Sequence, residues 1–391
     1  MSLFDKFADV ADLYAHLTED GIAPVGTPIE RVLSPTHGIV DGKEVILAGT
    51  NNYLGLTYDP ACIEAGKQSL DEEGTGTTGS RLANGSYHGH HALEAELSRA
   101  FCMRSAIVFT TGYQANLGII STIVGRGDAI VMDADSHASI YDGAKMSGAD
   151  VHRFRHNDAA DLAKRVKRLK SKVDHVLIIT EGIFSMLGDR APIREIVEVK
   201  RESGAYLMID EAHSFGILGP RGLGLAEAQG CLQDMDFVLG TFSKSLGSVG
   251  GYCVSDHEGL DAVRHSMRAY MFTASSTPAS IATVRAALQV MQERPELRAQ
   301  LRRNFERVYE GLKNLGFVLG PQPGPVVAAR FEDATEALHA WRRLLAAGVY
   351  VNLVVPPATP GQYSLLRCSL SAAHSDDEVD RILAGYARIQ S

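Results

Sequence analysis

The sequence predicts an α/β fold: a large, mostly parallel sheet with helices on both faces, followed by a smaller α+β segment. Three observations carry this. Between about Asn51 and Thr273, short apolar runs alternate with amphipathic stretches, the rhythm of βα units. After Pro278 a long helical pattern covers Ser280–Asn314. The tail then runs strand, helix, strand, strand. The expected boundaries are an N-terminal helical arm and short hairpin at 1–45, a large domain at 46–277 and a C-terminal α+β domain at 278–391.

Taken in order, Met1–Glu19 mixes acids with apolar residues in a helical rhythm. It has no basic start and no apolar stretch of the secretory kind. His37–Ile46 is a hairpin candidate because Asp41-Gly42 suits a tight turn. The strand candidates of the large domain are Ser105–Phe109, Ala129–Met132, His175–Thr180, Ala205–Ile209 and Phe237–Gly240. Helical stretches at Ala115–Val124, Asp158–Lys170 and Ile193–Ser203 lie between them. In the tail, Val326–Phe331, Val349–Leu353 and Tyr363–Ser369 have strand character and Thr335–Ala347 is helical.

Composition excludes several classes. The chain holds 38 basic and 47 acidic residues, a net charge of −9, so it lacks the basic face that nucleic-acid phosphates require. The densest basic stretch, Lys164–Lys172, has the spacing of a solvated helix face. Five scattered cysteines, with no CxxC, do not make a disulfide framework or a zinc ribbon. No run reaches the ~18 apolar residues of a membrane span. The expectation is a soluble, cytoplasmic protein.

In an open parallel sheet, ligands bind beyond the carboxyl ends of the strands. The residues that follow each apolar run therefore matter most. They are Thr110–Asn116 with a Gly turn into a helix, Asp133–His137, Glu181-Gly182 with Ser185, Asp210–His213, and Thr241–Ser245 around Lys244. A helix N-terminus offers N–H groups to a phosphate. Lysine offers an amine for a Schiff base, and a buried acid can pair with a pyridine nitrogen. Pyridoxal 5′-phosphate (PLP) fits this set, with Lys244 as the amine, Asp210 as the acid and His137 stacked on the ring. No metal is expected.

Rival motifs fail on context. Asp210-Glu211-Ala212-His213 spells a helicase-type acidic motif, but no GxxxxGK[ST] loop accompanies it. Gly74–Gly79 matches GxGxxG, but the preceding residues 62–73 look helical, whereas a dinucleotide site needs a strand there. His88, His90 and His91 lack metal-ligand spacing and are expected in a polar turn before a helix.

These residues resemble the α-oxoamine synthases, fold-type I PLP enzymes. The likeness runs from about Asn51 to His374. It rests on Asn52–Leu56, Gly79-Ser80-Arg81, Thr111–Asn116, Asp135–Ser139, Asp210–Ser214, Thr241–Lys244 and Leu366-Arg367. The resemblance implies an acyltransferase that condenses an amino acid with an acyl thioester and releases CO2. It implies that Lys244, His137 and Asp210 are catalytic. Gly112, Tyr113, Ser185, His213, Thr241 and Ser243 would surround the cofactor, and Arg367 would hold the substrate carboxylate. It also implies homodimers with shared active sites. Thr273 and Ala274 would reach the neighbouring subunit's phosphate, and Asn52 and Tyr53 would lie near that interface.

Asp133–Gly143, Phe154–Asn157 and Pro356–Pro360 resemble the family members that use L-serine and a long-chain acyl thioester, giving 3-ketodihydrosphingosine. The donor there would be an acyl-CoA or an acyl carrier protein. One departure is Val355, where the resembling loop carries an arginine. Alternatives are a member using glycine or alanine (5-aminolevulinate, 2-amino-3-ketobutyrate or 8-amino-7-oxononanoate synthesis) and a non-catalytic PLP-fold binding partner.

Overall fold

The computed structural model describes residues 2–19 and 21–390, apart from the side chain of His16. The chain forms two compact units. One comprises Met1–Thr50, Met186–Gly188 and Arg302–Ser391, and the other Asn51–Ser185 and Asp189–Leu301. The N-terminal segment holds α1 (Ala8–Thr18), β1 (Arg31–Val32), β2 (His37–Val40) and β3 (Lys43–Leu47). The hairpin turns at Asp41 (φ 51°) and Gly42 (φ 67°), two left-handed residues that match the right-handed twist of the flanking strands.

In the Asn51–Leu301 unit, α2 (Pro60–Glu73) and α3 (His88–Phe101) come first. Then β4 (Ser105–Phe109), α4 (Gly112–Ile123), β5 (Ala129–Asp133), α5 (Ala138–Ser147), β6 (Asp150–Phe154), α6 (Ala159–Leu169), β7 (Val176–Glu181), α7 (Ile193–Ser203) and β8 (Tyr206–Asp210) alternate. Short helices α8 (Leu225–Ala228), α9 (Leu260–Val263) and α10 (Arg268–Met271) surround β9 (Phe237–Thr241) and β10 (Gly251–Ser255), and α11 (Pro278–Glu293) follows. The seven strands stand in the order β4-β10-β9-β8-β7-β5-β6. All pair in parallel except β10, which is antiparallel to both neighbours. β4, β5, β7, β9 and β10 are buried along their whole length, as expected of strands covered on both faces. Ile119 and Ile120 of α4 and Ile140 of α5 pack with Ile130, Leu177, Met208 and Leu239 in one core.

The remaining elements of the other unit follow α12 (Glu296–Asn314). They are β11 (Val326–Phe331), α13 (Ala334–Ala346), β12 (Val349–Tyr350), β13 (Asn352–Val354), β14 (Ser364–Ser369) and α14 (Asp376–Gln390). β11-β14-β13 form an antiparallel sheet, and β12 pairs in parallel with β3. Trp341 of α13 is buried, and its indole N–H donates to the Val351 carbonyl at 2.8 Å.

Three expectations need correction. The compact units do not divide at 45 and 277. The β3–β12 pairing joins the hairpin to the C-terminal strands, and α11 packs along α2 in the sheet-bearing unit. The stretch Ser280–Asn314 is two helices, because Pro295 breaks it between α11 and α12. The histidines lie in the first turn of α3 and not before it. His90 is buried and accepts the Tyr87 N–H, while its other nitrogen meets the Ser276 carbonyl at 2.9 Å.

Candidate active site

The carboxyl ends of β4, β5, β7, β8 and β9 deliver their polar residues to one cavity of about 270 Å³. Its wall includes Gly112, Tyr113, His137, Glu181, Asp210, His213, Thr241, Ser243 and Lys244. Parallel strands bring such residues together because each βα turn emerges at the same edge.

At the β4 end, Thr111 caps α4, its hydroxyl accepting the Gln114 N–H at 3.1 Å. The first N–H groups of a helix have no partner within it, so this end of α4 is a natural anion seat. Gly112 allows the close approach: a Cβ there would come within 2.9 Å of Thr241 Cβ. Thr241 donates to the Gly250 carbonyl at 2.9 Å and stands 2.9 Å from the Ser243 hydroxyl. Lys244, half-buried, follows in the turn. It is anchored on its far side by Ser245, whose hydroxyl donates to the Phe215 carbonyl at 2.6 Å.

Asp210 is buried at the end of β8. Its Oδ1 accepts the Ala212 N–H at 2.8 Å, and its Oδ2 accepts from Asn116 Nδ2 at 2.6 Å. Asn116 also donates to Ser139 Oγ, which meets His137 Nδ1 at 2.8 Å. This chain links the carboxylate to the imidazole. His137 caps α5 and stands nearly perpendicular to the Tyr113 ring, the ring centroids 6.3 Å apart. Partial burial lowers the His137 pKa; the nearby Asp210 charge opposes this and the Lys244 charge reinforces it. Tyr53 is buried, its hydroxyl 2.8 Å from His213 Nδ1.

The remaining expected residues lie elsewhere. Asn52 is buried beside Thr57, to which its Nδ2 donates at 2.8 Å. Ser185 is half-buried after β7 and is not part of the cavity wall. Thr273 and Ala274 line a separate small crevice with Arg81, His90 and Tyr270. Arg367 belongs to the other unit, buried on β14 with its guanidinium donating to Ser369 at 2.9 Å. The sequence alone gives no role to Asn116, Ser139 or Glu181. All three stand in the segments it singled out, but only the cavity shows that they share one site.

The rival motifs resolve structurally. Glu211 is fully buried and accepts the Leu225 and Ala226 N–H groups at 2.9 Å, with the Ser214 hydroxyl as a third donor. Burial lifts its pKa to about 7 against the pull of those donors. It is a loop anchor. Gly74–Gly79 follows α2 and not a strand.

An amine, a buried carboxylate and an anion seat in one cavity on a mostly parallel sheet can hold a phosphorylated aldehyde and activate a bond next to its nitrogen. Residues 43–385 match the family model for class I and II aminotransferases. The chain belongs to the aminotransferase class I and II family. Among curated proteins, it is 54% identical to a serine palmitoyltransferase of Caulobacter vibrioides over 389 residues, covering 100% of this chain and 96% of that one. It is 45% identical to the serine palmitoyltransferase of Sphingomonas paucimobilis over 387 residues, covering 98% and 92%. A solved serine palmitoyltransferase with PLP as internal aldimine superposes with a TM-score of 0.97 at 44% identity, covering 100% of this chain and 98% of that chain.

Proposed function

We propose that this chain is a PLP-dependent acyltransferase that condenses L-serine with a long-chain acyl thioester such as palmitoyl-CoA. The products are 3-ketodihydrosphingosine, CO2 and the free thiol. The observation that carries this reading is the cavity that gathers Lys244, Asp210 and His137, in a chain alike over its full length to serine palmitoyltransferases.

The residues fit the cofactor. Asn116 Oδ1 is a buried acceptor on the cavity wall with no partner among the described residues, a place for a bound polar group. The α4 N-terminus with Gly112 and Tyr113, and the Thr241 and Ser243 hydroxyls, would hold the phosphate. Lys244 would supply the attaching amine, Asp210 would face the ring nitrogen and His137 would cover the ring. His213 and Ser185 would serve the phenolic oxygen. When bound, PLP supplies an electron-poor ring that takes up the electron pair left at a substrate carbon.

In the reaction, Lys244 Nζ removes the serine Cα proton. By the family resemblance, Arg367 would fix the substrate carboxylate through its planar donor fork, and Asn52 and Tyr53 would contact the substrate. The serine Cα bonds to the thioester carbonyl carbon as the C–S bond breaks, and the thiolate leaves and takes a proton from solvent. The carboxylate then departs as CO2, and a proton returns to Cα, again from Lys244. We assign the chain a homodimer in which Thr273 and Ala274 serve the neighbouring site, an acyl-CoA or acyl carrier protein donor, and a cytoplasmic location. Among the described residues no helix is long and apolar enough to cross a membrane.

The test is titration of the purified holoprotein with serine, glycine and alanine, followed by CO2 release with an acyl-CoA series. Serine is expected to shift the cofactor absorbance and to release CO2 with long-chain donors. A response confined to glycine or alanine would overturn the serine assignment.

A further inference from the structure

Two carboxyl groups share the floor of the cavity, and the reaction as derived uses only one. Glu181 ends β7 and Asp210 ends β8, and the two residues are register partners on adjacent parallel strands. Both are buried and both line the cavity. Asp210 has a donor on each oxygen. Glu181 Oε1 instead accepts the backbone N–H of His137.

That hydrogen bond has a structural reason. His137 is the N-cap of α5, so its own N–H lies outside the helix and gains no intrahelical acceptor. Glu181 is the acceptor it finds. The His137 ring is fixed separately, through Ser139 and Asn116 to Asp210. Backbone and side chain of the ring-covering residue are thus held by the two neighbouring carboxyls, one each.

We propose that Glu181 is a positioning residue, setting where His137 stands over the cofactor through the hydrogen bond to its backbone N–H. The inference rests on PLP occupying this cavity. The electrostatics agree with it. Burial first, and the Asp210 charge second, raise Glu181 well above the ordinary carboxylate range. The His137 N–H and the Lys244 charge pull the other way, and Asp133, at the end of β5, adds to the rise. A carboxyl that keeps its proton still accepts from His137 through its carbonyl oxygen.

The experiment compares the parent protein with Glu181→Gln and Glu181→Ala, reading PLP affinity of the apoproteins by fluorescence titration and the pH dependence of the bound cofactor's absorbance. Glu181→Ala removes the acceptor and is expected to weaken PLP binding by about tenfold. Glu181→Gln keeps a carbonyl oxygen and is expected to lose less than about threefold. Glu181→Ala is expected to shift the pH profile of the cofactor absorbance, because His137 moves over the ring, and Glu181→Gln to keep it near the parent's. Equal affinity of parent and Ala variant overturns the proposal. So does a Gln variant as weak as Ala, or an Ala variant with the parent's pH profile. If Glu181→Ala does not fold by circular dichroism, Glu181→Asp, which withdraws the carboxyl by one methylene, replaces it under the same criteria. A parent apoprotein that takes up no PLP would sink the cofactor reading itself, whatever the variants do.

Discussion

Asp210 receives hydrogen bonds on both carboxylate oxygens, from the Ala212 amide and the Asn116 side chain. Asparagine at this position can accept on one side only, and its NH2 would meet a donor on the other. Asp210→Asn is therefore expected to keep part of its cofactor but to lower kcat by about a hundredfold or more, because the charge that stabilises the carbanion is gone. Steady-state turnover, with solvent exchange of the serine α-proton, checks this, and undiminished exchange would count against the role of Asp210. His156 poses a separate question at the same scale. Its two ring nitrogens meet Asp133 at 2.8 Å and Asp189 at 2.7 Å. Burial alone would lower its pKa, but the two carboxylates outweigh it and raise the value from 6.5 to about 10. A group held above its unfolded pKa adds stability that is complete below about pH 6.5 and is lost as pH rises toward 10. The melting temperature of the parent should therefore fall across that window more steeply than that of His156→Gln. Parallel curves would refute the ion-pair account.

The N-terminus of α4 places backbone donors against the end of β9, and it does so because position 112 has no side chain. Gly112→Ala would put a methyl within 2.9 Å of Thr241 Cβ, an atom tied to the strand and unable to swing away. The helix start must then shift. We expect a loss of cofactor affinity of at least about tenfold, with a melting temperature near that of the parent apoprotein. Titration of the apoprotein with PLP tests it. Parental affinity in that variant would show that the phosphate seat lies elsewhere. The neighbouring elements show how far periodicity reaches. Ile193–Ser203 and Val326–Phe331 form where their patterns place them, the first because it repeats one buried face and the second because its first four residues are an unbroken apolar run and are buried. β10 carries no ligand group at its end and went unread, although it sits between β4 and β9 in the sheet.

For the whole molecule, the proposed shared sites make a distinctive prediction. Lys244→Ala and Thr273→Glu should each be inactive alone, the second because its charge would repel the neighbour's phosphate. Subunits mixed by co-expression should recover roughly a quarter of parental activity, since half the dimers are mixed and each has one site with both intact contributors. No recovery would mean that Thr273 does not serve a neighbouring site.

Local chemistry determined much of this protein in advance. Apolar runs and turn residues specify the βα rhythm. A lysine among small residues and acids at strand ends specify the kind of chemistry, because a strand end at a parallel sheet's carboxyl edge is a ligand position wherever it occurs. Tertiary structure alone decided two things. It paired β3 with β12, a contact between segments some three hundred residues apart. It also set Glu181 beside Asp210 and under the His137 amide. Both depend on which strands become neighbours, and strand order follows from the packing of the whole sheet, which no local pattern encodes.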